Sequence, residues 1–275
     1  MIAARQIAFG KAAGKKEEPP AYWGLCFTAE EAGSTIKMNK VGSAPSVTLE
    51  TSFDCEIWEP FTVGGTTITL PNVGDKVYFR AGEGGNTAMA SSNGDYNNFS
   101  IITGRIAASG NIMSLLNGDS PDSIIATYCY SSMFRDCTAL VQAPELPATT
   151  LATYCYFSMF RGCTALAQAP ELPVTTLAGS CYNSMFYGCT SLAQAPKLPA
   201  TTLATQCYSS MFRYCINIDC IKCSFKAFAS GSTNNWLSGV SSTGTFICPT
   251  ALGTNETIQR GISYCPEGWT VINKD

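Results

Sequence analysis

Two kinds of hydrophobic spacing divide the chain. Between Trp23 and Ile106 apolar residues alternate with polar ones, as in Leu25/Phe27, Ile36/Met38, Val47/Leu49, Cys55/Ile57, Ile68/Leu70 and Val77/Phe79. That is the period of strands with one buried face. Gly, Asn, Asp and Pro separate the runs at regular intervals, which predicts about seven short strands in an immunoglobulin-like sandwich. Further along the spacing lengthens. Leu151, Cys155, Met159 and Cys163 recur every fourth residue with Tyr156 and Phe160 beside them, the stripe of a short amphipathic helix. The run Ala169-Pro170-Glu171-Leu172-Pro173 that follows excludes helix and suits a brief extended stretch at a sheet edge.

This second pattern repeats. Cys129, Cys155, Cys181 and Cys207 lie 26 residues apart, as do Met133, Met159, Met185 and Met211, and Cys137, Cys163, Cys189 and Cys215. A fixed period in the range of roughly 20–50 residues predicts units that cannot bury an apolar face alone and must stack. The Met-Phe-x-x-Cys-Thr-x-Leu and Ala-Pro-x-Leu-Pro blocks resemble the BspA-like leucine-rich-repeat proteins of gut bacteria and their phages. Asn235 to Phe246 and Pro266 to Val271 resemble the closing segment of that family, and Ile106 to Leu115 its first, capping strand. The resemblance implies a surface-exposed adhesion protein without catalytic residues. Together these readings predict an α+β chain: a tether over 1–20, a β-sandwich over 21–106, a right-handed leucine-rich-repeat solenoid over 107–224 and a C-terminal cap over 225–275.

Composition removes several function classes. Histidine is absent, and with it the commonest general base, the commonest zinc ligand and the Ser-His-Asp or Cys-His triads. The net charge is -3 and no dense Lys/Arg stripe occurs, which argues against a nucleic-acid partner. No window approaches the roughly 20 apolar residues of a membrane helix. Of the 14 cysteines, those of the repeat read as free thiols plugging the core. Cys215, Cys220 and Cys223 contain a Cys-x-x-Cys pair but lack the second pair a zinc site needs. Neither a metal nor a cofactor is expected.

The positions that change between copies are the candidates for binding, because stacked repeats hold their core and vary the face shown to partners. They place Tyr128, Tyr154, Arg135, Arg161, Tyr187 and Arg213 as candidate ligand-binding residues, of types often used as binding anchors. On the extended side, Gln142, Gln168 and Gln194 form one row and Glu145, Glu171 and Lys197 another. Ile7 and Phe9 in the charged, proline-ended start are candidate docking residues toward virion proteins. The function expected is therefore non-enzymatic attachment to a protein or glycan receptor. The absence of an export leader in the first residues favours a phage virion protein, a fibre or capsid decoration. The alternatives are a bacterial cell-surface adhesin and, further off, a hydrolase of surface polymers. A homo-oligomer is compatible with all three.

Overall fold

The alternating segment forms strands because each places one row of apolar side chains against a common core. A computed structural model describes residues 24–116, 123–124 and 126–274; the expected tether, with Ile7 and Phe9, lies outside the described residues. The strands are β1 (Cys26–Ala29), β2 (Ser34–Val41), β3 (Leu49–Ser52), β4 (Glu59–Phe61), β5 (Thr67–Leu70), β6 (Lys76–Ala81), β7 (Tyr96–Thr103) and β8 (Ile106–Ser109). Later come β9 (Leu140–Gln142), β10 (Cys220–Lys222), β11 (Thr245–Cys248) and β12 (Thr270–Asn273). One sheet runs β4-β3-β6-β1-β8-β9 and a second runs β5-β2-β7. They meet through phenylalanines: Phe27 of β1 and Phe79 of β6 contact Phe99 of β7 edge-on at 4.8 and 5.1 Å.

This is not the expected immunoglobulin arrangement. A constant-type domain puts its first, second, fifth and fourth strands on one sheet. Here β1 and β4 share a sheet with β3 and β6, while β7 joins β2 and β5. The strand expected at Cys55/Ile57 is a bend instead. Asp54 Oδ1 accepts the N–H groups of Glu56 and Ile57, both at 2.9 Å, and so takes the donors a ladder would use. Ile57 is left 68% exposed.

The repeats correct the expectation further. Among the described residues there is no α-helix, so the α+β class and the leucine-rich-repeat solenoid with a helix in each copy are both wrong. Each Cys-Tyr-x-Ser-Met-Phe-x-x-Cys block is a ribbon of overlapping β-turns. In the second copy the N–H groups of Cys155, Phe157, Met159, Arg161 and Cys163 donate to the carbonyl three residues back. Those of Tyr154, Tyr156, Ser158, Phe160 and Gly162 donate to Gly179, Cys181, Asn183, Met185 and Tyr187 of the next copy, at 2.8–3.0 Å. Tyr154 (φ 58°), Ser158 (φ 53°) and Gly162 (φ 75°) are left-handed, the third position of alternate turns. The large inward side chains therefore come in pairs, Cys155-Tyr156 and Met159-Phe160, with the half-buried Phe157 and the small, covered Ser158 between them.

That geometry explains why the spacing resembles a helix without being one. A four-residue step on a helix overshoots one turn by roughly 40°, so by Cys163 a stripe begun at Leu151 would have drifted roughly 120°. A ribbon with two residues in and two out keeps a period of four without drift. On the other side of each copy, Pro170, Pro173, Pro196 and Pro199 lack the N–H a ladder needs, and the extended stretches touch through isolated bridges such as Gln142↔Gln168 and Leu198↔Cys223.

Equivalent inward rings stack from copy to copy. Phe134, Phe160, Phe186 and Phe212 lie 5.4, 5.6 and 5.7 Å apart and nearly parallel. The tyrosines Tyr130, Tyr156, Tyr182 and Tyr208 do the same at 5.9, 5.8 and 6.1 Å. The Phe row starts on Phe99 of β7, 5.6 Å from Phe134, and Trp236 closes both rows. One apolar cluster consequently runs from Leu25 to Val271. At the far end β10, β11 and β12 form a parallel sheet, and its edge is sealed by a side chain. Asn255 accepts from Val271 N–H through Oδ1 at 2.7 Å and donates Nδ2 to Val271 O at 3.2 Å, replacing the next strand.

Removing residues 155–180 deletes one whole copy and joins Tyr154 to Cys181, so every ribbon keeps a neighbour; the shortened chain should unfold cooperatively. Removing only 155–167 takes away the carbonyls of Cys155, Phe157, Met159 and Arg161, to which Tyr130, Ser132, Phe134 and Asp136 donate. That chain should aggregate or melt without cooperativity. Circular dichroism melts of the two deletions check both outcomes.

Candidate binding face of the turn ribbons

Along the ribbons the copies differ in three rows that face outward. The first row is Tyr128, Tyr154, Ser180 and Gln206; further along the ribbon come Arg135, Arg161, Tyr187 and Arg213, then Asp136, Gly162, Gly188 and Tyr214. Because hydrogen bonds hold successive ribbons in register, side chains in one row sit beside each other. Tyr128 and Tyr154 stack at 4.6 Å, with Phe157 edge-on to Tyr154 at 6.0 Å. The Arg161 guanidinium lies 4.3 Å from the Tyr187 ring centre. Arg213 is 5.8 Å from the same ring and 4.9 Å from Tyr214, whose hydroxyl accepts from Arg213 at 3.0 Å.

The six candidate residues thus fall into three groups. Tyr128 and Tyr154 form one aromatic step. Arg161, Tyr187 and Arg213 form a cation–aromatic cluster. Arg135 stands apart, paired with Asp136 at 3.4 Å. Sequence reasoning missed Phe157 and Tyr214, the latter 43% exposed. Their signal was available, since they hold aromatic rings at outward positions where other copies carry Ser, Asn, Asp or Gly. On the opposite, extended side Gln168, Glu171, Gln194 and Lys197 line a shallow depression of about 450 Å³ floored by alanines and Pro196.

The cysteines do not contribute a reactive centre. All 14 are free. Cys137, Cys163, Cys189 and Cys215 each donate a thiol hydrogen to the carbonyl of Phe99, Phe134, Phe160 and Phe186, at 2.9–3.1 Å. The thiols are structural donors that tie each layer to the one before. Burial pushes Cys137 and Cys215 up to about 12, so they stay protonated. Cys215 therefore faces Phe186 O rather than Cys220 or Cys223, and no cluster of metal-binding side chains occurs among the described residues. No helix there is long and apolar enough to cross a membrane.

No family model, curated protein or solved structure matches this chain.

Two outcomes follow from the geometry. Arg161→Ala should cost less than about 1 kcal/mol, the worth of an exposed cation–π contact, and Tyr154→Ala about 1 kcal/mol for the stacked pair. Phe160→Ala should cost about 3–5 kcal/mol; denaturant titrations would read the contrast. The thiols give the second. A thiol whose pKa is raised on folding contributes stability that is intact below its ordinary value, about 8.5, and is lost as pH climbs through the folded value. The melting temperature should hold up to about pH 8.5 and fall steadily above it. At pH 8 a thiol reagent should label the half-exposed Cys55 and Cys220 first, and the 12 buried thiols only on denaturation.

Proposed function

We propose that this chain is a non-enzymatic binding protein that attaches to a surface, its stacked turn ribbons presenting outward rows of tyrosine and arginine to a protein or glycan receptor. The observation that carries this reading is the division of labour within each ribbon. Inward positions keep the same residues in all four copies, while outward positions collect Tyr128, Tyr154, Arg161, Tyr187, Arg213 and Tyr214 in two contacting groups. Rings and guanidiniums held by stacking lose little freedom when a partner arrives, and Tyr and Arg dominate binding hot spots.

The absence of histidine supports binding over catalysis, and so does the protonated, hydrogen-bonded state of the repeat thiols, which leaves them poor nucleophiles. The resemblance of the repeat blocks to BspA-like surface proteins points the same way. The site of display that fits best is the exterior of a particle or cell, with a phage virion preferred to a bacterial surface.

Attachment and hydrolysis separate in one experiment. The full chain should be retained on immobilised polysaccharides or on host cells, and the same polymers in solution should show no new reducing ends after prolonged incubation. Release of reducing ends would contradict the proposal. Replacing Tyr128, Tyr154 and Arg161 together by Ala should weaken retention while the chain stays folded.

A further inference from the structure

Two arginines on the outer face lack an acidic partner. The ion pairs among the described residues are Arg80–Glu50 and Arg135–Asp136. Arg161 and Arg213, on either side of Tyr187 in the row, are therefore uncompensated cations in a chain of net charge -3. Both guanidiniums lie over tyrosine rings, Arg161 at 4.3 Å from Tyr187 and Arg213 at 4.9 Å from Tyr214, and Arg213 gives one N–H to the Tyr214 hydroxyl at 3.0 Å, a neutral partner that leaves its charge in place. A guanidinium held over a ring with no carboxylate beside it keeps its charge for an oxyanion, which arginine grips through charge-assisted N–H bonds.

The adjoining row is bare in its middle. At Gly162 an added Cβ would collide with the Asp136 carboxylate, but at Gly188 it would meet nothing within 4 Å. Backbone conformation alone does not demand glycine there, because Asp136 (φ 59°) and Tyr214 (φ 62°) occupy the same left-handed position. The missing side chain at Gly188 leaves an open step next to Tyr187, whose ring meets that of Tyr214 edge-on at 5.3 Å.

We propose that Arg161 and Arg213, with the open step at Gly188 between them, bind an acidic polysaccharide, a glycan bearing carboxylate or sulfate groups along its length and lying parallel to the stack. This rests on the surface-binding reading above and names the ligand class for that face. The two cations are two layers apart, each layer advancing the Phe row by 5.4–5.7 Å. They are separated by a ring, so they do not converge on one small anion. Charges repeated along a linear polymer meet them in turn, while a sugar ring settles on the bare step with its C–H face toward the aromatic groups. A nucleic-acid backbone would call for a broad basic stripe, and the neighbouring Arg135 is already neutralised by Asp136.

The test uses the full chain on surfaces coated with polygalacturonate, dextran sulfate, unmodified dextran or polyphosphate. Retention is expected on polygalacturonate, dextran sulfate or both, the pair distinguishing carboxylate from sulfate, and not on dextran. The double variant Arg161→Gln, Arg213→Gln should weaken it by about tenfold or more, the loss of charged hydrogen bonds. Lys197→Gln, which removes one charge from the extended side of the layers, should leave retention unchanged. Equal losses in both variants would overturn the assignment, as would polyphosphate bound as tightly and lost in the same variant. Retention on dextran or host cells undiminished in the double variant would overturn the acidic-glycan assignment while leaving the surface-binding proposal standing. No retention on any of these polymers would overturn the acidic-glycan assignment, and no retention on host cells either would overturn the surface-binding proposal with it.

Discussion

Half of the backbone donors in each turn ribbon have no partner within their own copy. An α-helix satisfies its N–H groups internally, whereas Tyr156, Ser158 and Phe160 can donate only to Cys181, Asn183 and Met185 of the next copy. A buried backbone group left unpaired costs about as much as a lost hydrogen bond, so no copy is stable alone and the two ends of the stack need dedicated caps. The first cap is the β region. Met89 and Phe99 donate to Cys129 O and Met133 O, and Phe99 heads the column of stacked rings. The last is the segment around Trp236, whose own carbonyl accepts from Phe212, followed by the parallel sheet that Asn255 seals.

The same register disposes the chemistry. Inside, the layer spacing lets identical rings stack and lets each second-row cysteine reach the carbonyl of a phenylalanine one layer back. A substitution there would break a contact with both neighbours, which accounts for the uniformity of the inward positions. Outside, the register places unlike residues in contact, so Arg161, Tyr187 and Arg213, far apart in the chain, become one cluster. Within the ribbons the variation falls on the outward rows, while the inward Cys, Tyr, Met and Phe rows stay uniform. The left-handed serines Ser132, Ser158, Ser184 and Ser210 show the cost of the arrangement, since such a conformation costs a non-glycine residue about 1–3 kcal/mol.

Much of this was legible in the residues, and the failures are instructive. Alternation placed β2 and β5, each with one buried face, and also β1 and β6, although Cys26 and Tyr78 are covered on their other face as well. The 26-residue spacing identified which side chains would be neighbours, and the outward positions supplied Tyr128, Tyr154, Arg161, Tyr187 and Arg213. What misled was the four-residue stripe at Leu151, Cys155, Met159 and Cys163. Over so few residues a period of four and one of 3.6 look alike, and the difference lies in Ser158 and Gly162, which turn left-handed. The polar stretch at 82–98 carries no hydrophobic period. Yet Met89 is fully buried in it, and Asn86 donates to Thr48 O and Leu115 O, long-range contacts that no local pattern announces. Strand order, too, was beyond reach, because alternation fixes a strand's faces and not its neighbours.

Residue-resolved hydrogen exchange across Tyr154 to Cys163 tests the dependence of each copy on the next most directly. Odd-numbered amides bond within the copy and even-numbered ones bond across to the following copy. If the layers are held as described, both sets should be protected to the same degree and released together, because the ribbon cannot keep its turns once its neighbour leaves. Slow exchange at Cys155, Phe157 and Met159 with exchange at the rate of an open chain at Tyr156, Ser158 and Phe160 would contradict the account.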